Sequence, residues 1–174
     1  IRAAQLGASV VVVENEDLGG VCLNWGCIPT KTLIHSADVF ATARAAADFG
    51  VAISGDITPD WPAMMKRKSK VVGTLTKGVG TLLKSNGVTV MKGTAGFVNR
   101  GTLEVTDNDG GTEQIQAAKT IVATGGKPVW PGFLPEASSR LLTSRGALAL
   151  DALPSSLLVL GGGIIGCEWR SEER

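Results

Sequence analysis

The feature that most constrains how this chain folds is the run Gly19-Gly20-Val21-Cys22-Leu23-Asn24-Trp25-Gly26-Cys27-Ile28-Pro29-Thr30-Lys31. It holds two of the chain's three cysteines, five positions apart and just after a glycine pair. On a regular helix, residues five apart are separated by roughly 7.5 Å along the axis. A disulfide needs Cα atoms about 4.4–6.8 Å apart. Joining Cys22 to Cys27 therefore requires a distorted turn, and Gly26 has the backbone freedom to make one. A small strained ring suits a bond that opens and closes in turnover better than a static staple. The alternatives for the same residues are two buried free thiols or half of a zinc site. A zinc site normally wants a second ligand pair, and Cys167 and the single His35 stand isolated in the sequence.

This segment resembles the redox-active disulfide segment of the flavin-dependent pyridine nucleotide–disulfide oxidoreductases. Within them it is closest to the dihydrolipoamide dehydrogenase branch, usually written Gly-Gly-(Thr/Val)-Cys-Leu-Asn-x-Gly-Cys-Ile-Pro-(Ser/Thr)-Lys. The glutathione and mercuric reductase branches read Val-Asn-Val-Gly-Cys-Val-Pro where this chain has Leu23 to Pro29. The resemblance extends along nearly the whole chain, up to Glu168. It implies an α/β, two-dinucleotide-binding-domain flavoprotein fold: a Rossmann-like FAD domain with a β-meander, then the start of an NAD domain. Residues 1–154 are expected to form the FAD-binding domain with the disulfide, and residues 155–174 the beginning of the NAD-binding domain. The chain reads as truncated at both ends, with the first strand and glycine loop for FAD upstream of Ile1.

Composition agrees with such a domain. Hydrophobic residues make up 44%, charged residues 19%, and the net charge is +1. This balance gives no reason to expect a nucleic-acid or anionic-membrane partner. No apolar run approaches the roughly 20 residues that cross a bilayer. Twenty-three glycines suit a fold built on tight strand-to-helix turns.

Ile1 to Leu6 reads as the tail of a helix. Ser9 to Glu14 is a continuous β-branched run, as in a parallel strand buried on both faces. An acid at the end of such a strand is placed to bind ribose hydroxyls, and the resemblance assigns Glu14 to the adenosine ribose of FAD. A helix is predicted from Gly20 through the cysteines to about Asp48, with Pro29 marking a kink or restart. Lys31 lies one helical turn beyond Cys27, and the resemblance puts its ammonium near the flavin ring. His35, one turn further, is read as a surface or partly packed helix residue. The family's histidine base lies in a C-terminal domain outside this chain.

Asp60 to Asn86 reads as one long amphipathic helix, with Met64, Lys68, Val71, Leu75, Val79 and Leu82 at three- and four-residue spacing. Short β-type runs follow at Val88–Met91, Phe97–Val98, Thr102–Thr106 and Glu113–Ala117, with a hairpin turn at Asp107–Gly111. By resemblance, the main chain of Lys92–Ala95 passes the FAD adenine, with Ala95 the contact residue. Lys119 to Gly126 reads as a buried strand ending in small residues that let a ligand approach, and Pro128 to Pro135 as a proline-rich loop. Leu157–Leu160 then runs into Gly161-x-Gly163-x-x-Gly166. Those glycines permit a tight turn, close approach of a pyrophosphate, and helix–strand packing. The tail Trp169–Arg174 departs from the family wording and is given no role.

By resemblance, Cys22 is the interchange thiol that meets the dithiol substrate and Cys27 faces the flavin. Glu14, Gly19, Gly20, Lys31, Ala95, Thr124, Gly125 and Gly126 are expected at FAD. Gly161, Gly163, Ile164, Ile165, Gly166 and Glu168 are expected at NAD, and no residue at a metal. The activity implied is oxidation of dihydrolipoamide to lipoamide with reduction of NAD+. The partners implied are the lipoyl domains of 2-oxo acid dehydrogenase or glycine cleavage complexes, and a second subunit in a homodimer. The compartment implied is the cytoplasm, or the mitochondrial matrix in a eukaryote. The isolated chain is expected to be inactive. Another disulfide reductase of the same family, for glutathione, mercuric ion or a related thiol, is the alternative enzyme. A catalytically silent interaction module is the alternative outside enzymes.

Overall fold

The computed structural model describes residues 1–135, 138 and 140–170. The tail beyond Arg170, to which the sequence assigns no role, lies outside the described residues. The chain divides into two compact units. One comprises Ile1–Asn24 and Gly73–Gly126, and the other Trp25–Val72 with the described residues from Lys127 onward.

In the first unit a short helix α1 (Arg2–Gln5) leads into strand β1 (Val11–Glu14). β1 pairs in parallel with β2 (Thr89–Lys92), Val11 opposite Thr89 and Glu14 opposite Lys92. The β-branched run thus forms its strand, but not one buried on both faces: Val11 is exposed, and the other three residues are half-buried. Only β2 flanks it among the described residues, and a two-stranded sheet leaves much of each strand uncovered. Three antiparallel strands follow as a meander: β3 (Thr94–Asn99), β4 (Thr102–Thr106) and β5 (Thr112–Gln116). Leu103 and Val105, alternate residues of β4, turn inward, while Glu104 between them is only half-buried. The β4–β5 turn is closed by Asp107. Its Oδ1 accepts from the amides of Asp109 (2.9 Å) and Gly111 (2.7 Å).

Helix α4 (Trp61–Ser85) nearly matches the predicted limits. Asp60 caps it, Oδ1 accepting from the Ala63 amide at 2.9 Å. The apolar stripe is not quite the expected one. Leu83 is the buried leucine, whereas Leu75 and Leu82 are 42% and 54% exposed. Two sets of neighbours set the face. Near the start, Trp61 Nε1 donates to the Leu150 carbonyl and Lys68 Nζ to that of Leu148. Further on, Thr76 Oγ1 donates to Asn24 Oδ1, and Gly80 lies against Leu18.

Lys119–Gly126 and Leu157–Leu160 do not form the predicted strands. Ile121 is 88% exposed and Leu158 83%. Composition had suggested strands, but a strand also needs a neighbouring backbone to take its hydrogen bonds. Neither run has one among the described residues.

In the second unit α3 (Cys27–Arg44) lies under the amino-terminal half of α4, where Arg67 Nη1 donates to the Thr32 carbonyl at 2.9 Å. A short helix α5 (Ser144–Ala147) starts at Thr143, whose hydroxyl accepts from the Gly146 amide. Ala147 and Leu148 are buried. Among the described residues no helix is long and apolar enough to cross a membrane.

Burial pushes the Lys68 ammonium below the ordinary lysine value of 10.5. Below the lowered folded value the lysine is charged in both states, and its desolvation opposes folding. From the lowered folded value up to 10.5, the unfolded chain binds more protons than the folded one, so stability rises with pH. Urea unfolding across this alkaline window should show that rise, and Lys68→Met should flatten it. Equal slopes for the two proteins would refute the assignment.

Candidate functional site

Cys22 and Cys27 are joined in a disulfide. The helix expected to run through them is broken. α2 (Gly20–Trp25) ends before Gly26 and α3 starts at Cys27. The break falls at Gly26, with φ −136° and ψ −114°, and not at Pro29. Pro29 sits in the first turn of α3, fully buried, where a missing amide hydrogen costs no helical bond. Thr30 Oγ1 donates to the Gly26 carbonyl at 2.7 Å and so fixes the restart. Both cysteines are exposed to solvent, so accessibility does not rank them as interchange and flavin-facing sulfurs.

Asn24, to which the sequence reading gave no role, holds the amino-terminal side of the ring. Its Nδ2 donates to the Leu18 and Gly20 carbonyls, both at 3.1 Å, and its Oδ1 accepts from Thr76 Oγ1 at 2.9 Å. Within the same unit, Gly19 (φ +110°), Gly20 (φ +72°) and Gly125 (φ +73°) share the left-handed region. A Cβ on Gly125 would lie 3.8 Å from Val21. Glycines thus converge on the start of α2 from two distant parts of the sequence. Thr124 and Gly126 flank Gly125 in an exposed, irregular stretch.

Glu14 ends β1 and its Oε1 accepts from the Glu16 amide at 2.9 Å. Its own carbonyl accepts from the Gly93 amide at 3.1 Å, two residues before Ala95. Glu14 and Ala95 are therefore brought to the same end of the β1–β2 pair.

In the second unit, Lys31 makes an ion pair with Glu168. The sequence assigned the two to different nucleotides. Only folding places them together, because no local pattern links residues so far apart. The Lys31 side chain is 57% exposed, so the pair orients more than it stabilises. His35 is exposed on α3, a turn beyond Lys31.

The run Gly161–Gly166 enters α6 (Ile164–Trp169) from an irregular segment rather than from a strand. Gly161 takes φ +106° at the turn. Gly163 caps α6, and a Cβ there would meet nothing within 4 Å. A Cβ on Gly166 would fall 2.1 Å from the Gly161 carbonyl oxygen, so no larger residue fits. A Cβ on Gly161 would also meet nothing within 4 Å, so of these three glycines only Gly166 is excluded from a larger side chain by a close neighbour. Ile164 and Ile165 open α6 and are exposed. Cys167 is a free, exposed thiol. Among the described residues, no group of three or more histidines, cysteines or carboxylates stands together as a metal site.

Residues 1–172 match a family model described as pyridine nucleotide-disulphide oxidoreductase. The chain belongs to that family. Its relatives include the dihydrolipoyl dehydrogenases of Bacillus subtilis (strain 168), 41% identical over 170 residues, and of Trypanosoma brucei brucei, 46% identical over 170 residues. Each alignment covers 97% of this chain, but only 37% and 36% of the relatives. The chain thus spans little more than a third of their length. Among solved structures, the HOCl-induced flavoprotein disulfide reductase RclA from Escherichia coli superposes with a TM-score of 0.79 at 31% identity. That match covers 97% of this chain and 34% of the other.

Two further residues of this family member escaped the sequence reading. The guanidinium of Arg145 lies over the Trp25 ring, 4.0 Å from its centroid. An indole between the two cysteines was a visible signal; its cationic partner was not.

Proposed function

We propose that this chain carries the disulfide redox centre and the nucleotide-facing surfaces of a dihydrolipoamide dehydrogenase. The observation that carries the reading is the Cys22–Cys27 disulfide set across the break at Gly26. A permanent cross-link gains nothing from exposure or from joining near neighbours. A bond that must be reached and opened gains from both.

The reaction at the sulfurs balances as follows. One thiolate of the dithiol substrate attacks Cys22 Sγ, and the Cys22–Cys27 bond breaks to leave a Cys27 thiolate. The second substrate thiol, deprotonated, attacks the substrate sulfur of the mixed disulfide and releases Cys22. The substrate leaves as a cyclic disulfide, its two electrons now reside on the Cys22 and Cys27 sulfurs, and its two protons are released or retained there as thiols. The thiolate form is the reactive one, and Lys31 lies one helical turn beyond Cys27 in sequence. FAD, when bound, would draw off this electron pair and NAD+ would finally accept it.

The proposed FAD surface is Glu14, Gly19, Gly20, Lys31, Ala95 and Thr124–Gly126, within a domain of residues 1–154. The left-handed glycines beside Val21 and the shared strand end of Glu14 and Ala95 support it. The proposed NAD surface is Gly161, Gly163–Gly166 and Glu168, opening a second domain at residue 155. A homodimer serving lipoyl-bearing complexes in the cytoplasm or mitochondrial matrix completes the proposal, and the identity with two dihydrolipoyl dehydrogenases supports it. The likeness to a flavoprotein disulfide reductase of Escherichia coli supports the second reading, reduction of a different disulfide substrate.

Stoichiometric dihydrolipoamide tests the proposal. It should open the disulfide, read by mass spectrometry as two newly alkylated residues at Cys22 and Cys27. With FAD and NAD+ present in the enzyme, NADH should form. No gain of thiols at these positions would overturn the redox reading. Gain with glutathione alone, and none with dihydrolipoamide, would favour the other reductase.

A further inference from the structure

We infer that Arg145 is a positioning residue for the redox pair, acting through Trp25. The inference rests on the disulfide being the reacting group, as proposed above. Trp25 is the last residue of α2 and stands directly before the break at Gly26, inside the ring closed by Cys22 and Cys27. The Arg145 guanidinium carbon is 4.0 Å from the centre of its ring. That is well inside the roughly 6 Å over which an aromatic face attracts a cation.

Arg145 is held on a built support. Its helix α5 is capped by Thr143, and Ala147 and Leu148 at its carboxyl end are buried. The carbonyls of Leu148 and Leu150 accept from Lys68 and Trp61 of α4. Arg67 of α4 in turn donates to Thr32 of α3, the helix that starts at Cys27. A single framework therefore carries Cys27 at one end and Arg145 at the other, and Arg145 returns to grip the residue before the break.

The grip matters most when the disulfide is open. In the oxidised chain the sulfur–sulfur bond itself fixes the separation. Two-electron reduction with uptake of two protons removes that tie, and residues 23–26 are then held by noncovalent contacts. Two thiols kept near each other close again at a high effective concentration, whereas thiols on a loose turn do so poorly. Arg145 over Trp25 keeps that concentration high through each cycle. A flat guanidinium suits the task, because it stacks on an indole face where an ammonium does not.

The test is the equilibrium of the full chain with glutathione: the disulfide plus two glutathione thiols gives two cysteine thiols plus glutathione disulfide. Acid quenching, alkylation and mass spectrometry give the oxidised fraction at each buffer ratio. Arg145→Gln and Trp25→Leu should each lower the effective concentration of the pair about fivefold, with Arg145→Lys and Trp25→Phe in between. The double variant Arg145→Gln/Trp25→Leu should fall no further than the single ones, because both remove one interaction. Additive falls in the double variant, or an unchanged value in a folded Arg145→Gln, overturn the inference. If Arg145→Gln does not fold, Arg145→Lys and Trp25→Phe decide: intermediate values support it and two unchanged values overturn it. A wild-type pair that stays oxidised at every glutathione ratio and in dihydrolipoamide sinks the redox reading itself.

Discussion

Cys22→Ser and Cys27→Ser should each lower dithiol oxidation by the enzyme at least ~10³-fold while leaving the helices in place. A serine oxygen in place of either sulfur leaves no disulfide to accept the electron pair, so the first step has no target. Neither change should disturb folding much. Both side chains are exposed, and the break between α2 and α3 is shaped by Gly26, Pro29 and Thr30. Circular dichroism should therefore match wild type while turnover with dihydrolipoamide disappears. The two roles separate by labelling. In the reduced, FAD-loaded protein, limiting iodoacetamide should modify Cys22 ahead of Cys27. Normal turnover in both serine variants would end the assignment, and Cys27 labelling first would reverse the roles.

The second large effect is on stability. Gly93 joins β2 to β3, is buried, and takes φ +148°. A Cβ there would lie 2.3 Å from the Thr106 carbonyl oxygen and 3.1 Å from the Asp107 Cα. Both are backbone atoms of the meander and cannot swing aside as a side chain would. Gly93→Ala should therefore cost about 3 kcal/mol or more, from the clash together with the disfavoured dihedral. Gly101→Ala is the control: it meets nothing within 4 Å and should cost less than about 1 kcal/mol. Chemical denaturation of the two variants checks the contrast. A Gly93→Ala midpoint equal to that of Gly101→Ala would show that the β2–β3 junction yields.

What was legible in the sequence was local. The limits of α4 followed from helical spacing, and the β4–β5 turn from its Asp-Asn-Asp-Gly-Gly run. The distorted turn at Gly26 followed from the reach of a disulfide. The helix does not continue through the cysteines, and Pro29 is no marker of the break, because proline is tolerated in a helix's first turn. Lys119–Gly126 and Leu157–Leu160 have the composition of strands, but pairing depends on a neighbour that composition does not reveal. The same limit hid the contacts of the candidate site. Lys31 with Glu168, Thr76 with Asn24, and Arg145 with Trp25 each join residues with no shared local pattern. The motif gave one member of each of these pairs and folding supplied the other.

The parallel register of β1 with β2 also sets an order of events. Val11 finds Thr89 only after residues 15–88 have been gathered into a closed loop, which is entropically slow. The meander β3–β4–β5 has no such delay, because its strands are joined by short turns and form as fast local hairpins. Cys22 and Cys27 lie inside the long loop but close to each other along the chain. Their oxidation need not wait for the parallel pair, and an early disulfide adds almost nothing to the cost of closing that loop. Refolding from the reduced and the oxidised denatured chain should therefore pass through the same slow step, at nearly the same rate.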